Sequence, residues 1–185
     1  MFEYHTKETA PAEAHALMEQ SRQDFGMLPN LHRILAESPE TYRAYLVSFS
    51  AVMAKSEFSP LEAQVIFMTA NYENKCHYCT AGHSWAMEAA GMPADVIEAL
   101  REGKPIADPK LQALRAFTQD MLETRGHLPP ERLQEFLDAG YTRKQALEVI
   151  CGLASKVISN YTNALARTEL DPPMQSYSWV HPDDR

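Results

Sequence analysis

Two cysteines and a histidine stand at one helical spacing in this chain: Cys76-x-x-Cys79-x-x-x-His83, inside the stretch 71–85. On a helix each residue advances about 100°, so Cys79 lies about 60° from Cys76 and His83 falls between them. Three side chains on one narrow face suit a thiol pair that closes a disulfide, with an imidazole one turn from Cys79. Cysteine reacts as the thiolate, and a free pKa near 8.5 leaves little of it at neutral pH. Two features could lower that value. A helix starting near Asn74 or Lys75 would put Cys76 in its first turn, where free amides favour negative charge. His83 could take a proton from Cys79 or face its thiolate as imidazolium. A sulfenate on one thiol would then be resolved by the other as a disulfide.

Other chemistries compete for the same residues. Zinc could use Cys76, Cys79 and His83 with a fourth ligand such as His77 or His32. Structural zinc sites usually pair two short ligand knuckles, and the chain has no second one. Haem attachment wants histidine directly after the second cysteine, where Thr80 stands. A thioredoxin fold would need a βαβ pattern around the motif, and there is none. Two cysteines packed in a helical core are the plain alternative. Cys151, within the apolar run 149–154, reads as a small buried hydrophobe. His5, His15, His32, His127 and His181 stand isolated and read as surface or internally satisfied histidines. No glycine-rich phosphate loop or other organic-cofactor signature is present, so no cofactor and no metal is assigned.

The elements that must position the motif are helical. The 185 residues are 45% hydrophobic and 23% charged, a composition that fits one domain over 1–185 with a substantial core. A net charge of −8 argues against sequence-independent nucleic-acid binding and against an anionic membrane surface. No run of about 18 apolar residues exists, and the charged N-terminus is not a secretory signal. Three cysteines, two in one motif, are no secreted disulfide framework, so a reducing cytoplasm is the expected location.

Residues 1–9 read as a loose arm, and helices are expected over 11–24, 31–37 and 39–55, the last opened by Ser38-Pro39. Ser59-Pro60-Leu61-Glu62 forms a capping box that starts a helix to about Tyr72. The motif helix follows, with Asn74 as a possible N-cap, and ends at Gly91. Further helices are expected over 93–102, 109–125 and 131–139. Thr142 and Gln145 make a second capping box before a long helix, 143–167. That helix carries Leu147, Val149, Ile150, Leu153, Val157, Ile158, Tyr161 and Leu165. The core is expected over 40–125, with 168–185 an irregular extension that packs back or meets a neighbouring subunit.

At the motif the sequence resembles the alkylhydroperoxidase D-like core of the carboxymuconolactone decarboxylase superfamily. The resemblance lies in Leu61 to Trp85: the Ser-Pro-Leu-Glu start, then Cys76-x-x-Cys79-x-x-x-His83. The stretches 99–109, 140–142 and 159–163 also resemble its branch of uncharacterised peroxidase-related proteins. The resemblance implies an all-α helical bundle with the cysteines at the start of a core helix. It implies assembly as dimers, trimers or hexamers. It also implies reduction of organic hydroperoxides by a dithiol–disulfide cycle, reset by an unknown thiol or dithiol reductant. By that pattern Cys79 attacks the peroxide, Cys76 resolves, and His83 is the base.

The chain departs from the family pattern at two positions. The relay glutamate, twelve residues before the first cysteine, is here Gln64, which can orient a histidine or water but cannot carry a proton. The histidine that some members carry next to the second cysteine is Tyr78, with His77 one place earlier. Glu62 is the nearest carboxylate. It already has a capping role, and two helical residues put it about 200° from Gln64.

Overall fold

The computed structural model describes residues 2–185, and the described chain is all-α, without a strand. A 3-10 turn at Ala12–Ala14 leads into α1 (His15–Phe25), followed by α2 (Asn30–Leu35) and α3 (Pro39–Ser50). A π turn, Ala51–Lys55, extends α3. Then come α4 (Pro60–Glu73), α5 (His77–Ala89), α6 (Ala94–Arg101), α7 (Pro109–Glu123), α8 (Pro130–Asp138) and α9 (Arg143–Ala166). The C-terminal segment holds only two 3-10 turns, Pro172–Tyr177 and Pro182–Asp184. It packs on its own chain against α5, with Met174 and Trp179 buried. No described helix is long and apolar enough to cross a membrane.

The arm is tied down rather than loose. Met1 lies outside the described residues. His5 is buried and bonds to Glu37, and its backbone amide donates to the Arg33 carbonyl at 3.3 Å.

Helix α4 is the axis of the fold. Ala63, Val65, Ile66, Phe67, Met68 and Ala70 are all fully buried, so the helix is apolar on every side and must be surrounded. It touches α5, α6, α7 and α9. Both expected capping boxes are formed, at Ser59–Glu62 and Thr142–Gln145. The core has two halves. One gathers α4, α6, α7, α8 and the first turns of α9; the other gathers α1, α2, α3, α5 and the C-terminal segment. Phe49 packs against both, and the motif lies at this seam.

The start of the motif helix differs from the sequence expectation. Asn74 closes α4 as its C-cap, Lys75 turns the chain with a positive φ of 50°, and Cys76 is the N-cap of α5. The Asn74 side chain is drawn off to Asn160, to which its Nδ2 donates at 2.9 Å. Cys76 Sγ takes over capping by accepting from the Cys79 amide at 3.4 Å.

Gly152 sets how closely α9 approaches α4. A Cβ there would stand 2.9 Å from Ile66 Cγ2, on a buried, β-branched side chain that cannot swing away. Alanine's better helix propensity favours Gly152→Ala by about 1 kcal/mol. Overpacking costs about 1–3 kcal/mol and dominates. Gly152→Ala is expected to lose roughly 1 kcal/mol net, seen as a lower urea midpoint at unchanged slope.

Candidate active site

A cavity of about 100 Å³ opens at the seam between the two core halves. Cys79, His83, Gln64 and Lys156 line one side of it, and aromatic and aliphatic side chains line the rest. Cys76 and Cys79 are both buried and both free thiols. Each is placed by the abrupt α4–α5 turn, which puts Cys76 at the helix cap and Cys79 on its first turn.

His83 is held at both nitrogens. Its Nδ1 lies 2.7 Å from Gln64 Oε1, which can only accept, so Nδ1 carries the proton. Its Nε2 then accepts from the Lys156 ammonium at 2.9 Å. Lys156 is 1% exposed, a cation almost wholly withdrawn from water, with its Nζ 5.4 Å from the centre of the Phe67 ring. Burial lowers the pKa of Lys156, while the nearby cysteines raise it. Burial and the adjacent Lys156 charge hold His83 well below its ordinary pKa, so it is a neutral imidazole. His83 shares the cavity wall with Cys79 but makes no hydrogen bond to it among the described residues.

The two thiols are driven apart electrostatically. Burial alone would raise both. At Cys79 it is outweighed by the hydrogen bond from Cys76, the charge of Lys156 and the amides of Asn163 and Asn160, and the pKa falls to about 5. Asn163 Nδ2 donates to Cys79 Sγ at 3.2 Å. Asn160 Nδ2 is fixed by Asn71 Oδ1 at 2.9 Å. At Cys76 the shared hydrogen bond, burial and the Cys79 charge all push the thiol up. The pair is thus one thiolate, Cys79, beside one protonated thiol, Cys76. The helix-terminus expectation pointed to Cys76 as the acidic member. Cys76 sits at the cap and spends its sulfur accepting an amide hydrogen, whereas Cys79 faces the cation.

Of the residues singled out by sequence, Cys76, Cys79, His83 and Gln64 come together. Glu62 does not. Its carboxylate closes the capping box on the Ser59 amide at 2.8 Å and pairs with Lys110 at 3.2 Å, away from the cavity. Cys151 is half-buried, with its thiol 3.7 Å from the Ser48 carbonyl. Among the described residues no three His, Cys, Asp or Glu side chains are grouped to hold a metal ion. Both nitrogens of His83 are already engaged.

Lys156, Asn160 and Asn163 were not read as site residues. They stand at i, i+4 and i+7 on one stripe of α9, flanked by Ser155 and Ser159, and that run of polar residues was the available signal. An apolar stripe on the same helix outweighed it.

The Lys156 charge makes a measurable demand. Lys156→Met keeps length and removes charge. Alkylation of the Cys79 peptide by iodoacetamide, followed by mass spectrometry across pH, should show a midpoint well below the ordinary thiol range in the wild type. In Lys156→Met the midpoint should rise by at least one unit, with the rate at a pH below both midpoints falling roughly tenfold. An unmoved midpoint would show that Lys156 does not set the thiolate.

No protein-family model and no curated protein sequence matches the chain. Solved structures do. The alkylhydroperoxidase D core, an uncharacterized peroxidase-related protein from Ralstonia eutropha JMP134, superposes with a TM-score of 0.82 at 17% identity, over 94% of this chain and 93% of its own. An uncharacterized peroxidase-related protein from Silicibacter sp. TM1040 gives 0.70 at 18% identity, over 89% and 86%. A cysteine-to-alanine variant of the debrominase Bmp8, in complex with 2,3,4-tribromopyrrole, gives 0.78 at 17% identity, over 95% and 94%. The resemblance carried by the motif therefore extends to three dimensions: this chain has the alkylhydroperoxidase D-like fold.

Proposed function

We propose that this chain is a thiol-dependent oxidoreductase that reduces small organic hydroperoxides through Cys79 and Cys76. The observation that carries the reading is a lowered Cys79 thiol on a cavity wall with a protonated Cys76 hydrogen-bonded beside it. The Cys79 thiolate attacks the terminal oxygen of R–O–O–H, the O–O bond breaks, and Cys79 becomes a sulfenic acid. The alkoxide leaves and takes a proton from the Lys156 ammonium. Cys76 then attacks the Cys79 sulfur, its thiol proton leaves with the hydroxide as water, and the disulfide closes. An external thiol or dithiol reduces that disulfide, so one hydroperoxide and two thiols yield one alcohol, one water and one disulfide. His83, fixed by Gln64, accepts a hydrogen bond from Lys156 and positions it, and the neutral amine regains its proton from the external thiols when they reduce the disulfide. In this arrangement a lysine stands where the family's carboxylate relay would be needed.

The apolar, aromatic lining of the cavity favours a second reading, supported by the shared fold of the debrominase Bmp8. A thiolate can take bromine from a bromoarene, the carbon taking a proton. Cys76 then displaces bromide, leaving the same disulfide. Bromide release from a bromopyrrole, against turnover of tert-butyl hydroperoxide, separates the two substrates.

The reading includes a homo-oligomer. Helix α9 turns Leu147, Ile150, Val157, Tyr161 and Leu165 to solvent at helical spacing, with Leu165 72% exposed. Such a stripe on a 24-residue helix suits burial against a second copy. The double change Leu147→Lys with Tyr161→Lys should convert the wild-type oligomer to monomer in size exclusion with light scattering.

Free thiols should be counted before and after one equivalent of tert-butyl hydroperoxide. The wild type and Cys151→Ser should each lose two. Cys76→Ser should stop at a Cys79 sulfenic acid trapped by dimedone, and Cys79→Ser should lose none. Equal turnover in Cys79→Ser would overturn the peroxidase reading.

A further inference from the structure

The cavity lining holds two polar groups that the thiol chemistry leaves unused. His32 and Tyr45 both line it, at 2% and 4% exposure, and their rings meet edge to face at 5.4 Å. On its far edge His32 is anchored: Nδ1 lies 2.8 Å from Ser21 Oγ and 3.1 Å from the Tyr42 hydroxyl, neither residue lining the cavity. The protons in this cluster can be counted. Ser21 donates its own to the Leu17 carbonyl at 2.9 Å. Tyr42 therefore donates to Ser21 across 2.5 Å. With the Ser21 proton directed at the Leu17 carbonyl, His32 Nδ1–H is the donor of its own bond to Ser21.

The opposite nitrogen, Nε2, is consequently unprotonated. It is an acceptor with no partner among the described residues, yet it is not sealed off as an orphaned buried atom, so it keeps an edge on the cavity. Burial holds the His32 pKa at about 3, so the ring stays neutral and Nε2 stays an acceptor across the physiological range. The Tyr45 hydroxyl likewise has no partner among the described residues, and the charge of Cys79 reaches it. Apart from the residues of the thiol site, the remaining lining is largely apolar, with Phe25, Leu31, Phe49 and Met174 among it. Unpartnered polar groups at a dry wall are costly unless a ligand completes them.

We propose that His32 and Tyr45 are the recognition pair of this cavity, selecting small, largely apolar ligands that carry an O–H or N–H donor. Nε2 of His32 accepts that donor, and the Tyr45 hydroxyl bonds the neighbouring polar atom. The inference rests on the cavity being the substrate site. For a hydroperoxide, the terminal O–H would point to His32 and the second oxygen to Tyr45. A dialkyl peroxide, with no O–H, leaves His32 unpaired and is rejected.

The test uses phenol and toluene as probes, equal in shape but differing in the donor, titrated into Cys79→Ser protein and followed by backbone amide shifts. Phenol should bind about tenfold tighter or more. In the Cys79→Ser, His32→Phe protein the two affinities should agree within about twofold. Independently of any variant's folding, ¹⁵N spectra of the wild type should show His32 Nε2 unprotonated and shifted on adding phenol but not toluene. A protonated Nε2, an Nε2 signal unmoved by phenol, or equal affinities in the His32-containing protein would each overturn the proposal. None of these readouts involves turnover. Selective phenol binding in a protein inert to hydroperoxide would end the peroxidase reading and leave the recognition pair standing. Turnover without selectivity would do the reverse.

Discussion

The interaction on which the site depends centres on a buried lysine, Lys156, hydrogen-bonded to a neutral histidine and coupled through charge to Cys79. A lysine withdrawn from water is strongly disfavoured unless charge or hydrogen bonds compensate. Here Cys79 supplies the charge and His83 the hydrogen bond. The compensation is mutual, because the Lys156 charge joins the Cys76 hydrogen bond and the Asn163 and Asn160 amides in lowering the buried Cys79 thiol. The Lys156 charge therefore helps to separate the two thiols, lowering Cys79 while Cys76 is pushed up. Gln64 completes the arrangement by taking the Nδ1 proton of His83. That leaves Nε2 free to accept from the ammonium and prevents the imidazole from competing for its proton.

Packing makes this contact possible. Lys156 stands one turn after Gly152, where α9 crosses α4 with Ile66 against the glycine. The close crossing brings the Lys156 ammonium to Phe67 and His83, both of which lie toward the seam where the core halves meet. Beyond the crossing, the second half of α9 turns a polar face inward. Gln145, Ser155, Lys156, Ser159, Asn160 and Asn163 point inward, and Leu147, Ile150, Tyr161 and Leu165 point out. Asn71, Asn74, Asn160 and Asn163 tie the inner face of α9 to the end of α4 and to Cys79. The lining around His32 is held by a separate set of bonds. Tyr78 donates to Asp171 and accepts from the Leu31 amide, joining α5, α2 and the C-terminal segment beside His32.

Local signals carried most of the architecture. Ser59-Pro60-x-Glu62 and Thr142-x-x-Gln145 place helix starts through bonds that close within four residues, so no tertiary knowledge is needed to read them. The all-helical class and the motif's place at the start of a core helix follow from the same kind of signal. Asn74 was misassigned because Asn caps either end of a helix, and its side chain is claimed by Asn160, 86 residues away. The arm at His5 was read as loose because its partners, Glu37 and Arg33, lie on an element that sequence alone does not bring near.

The sequence by itself determined which residues could do redox chemistry, since Cys-x-x-Cys-x-x-x-His meets on one helix face by spacing alone, and it determined that helices would carry them. Only the tertiary structure decided the charges. Lys156, His32 and Tyr45 lie 77, 47 and 34 residues from Cys79 in the chain, and a helical period says which face a side chain takes, never what that face meets. On α9 the expected apolar stripe splits: Val149 and Leu153 are buried, whereas Leu147, Ile150, Tyr161 and Leu165 face outward. The inward polar face of its second half meets Cys79 and His83, which no helical period shows.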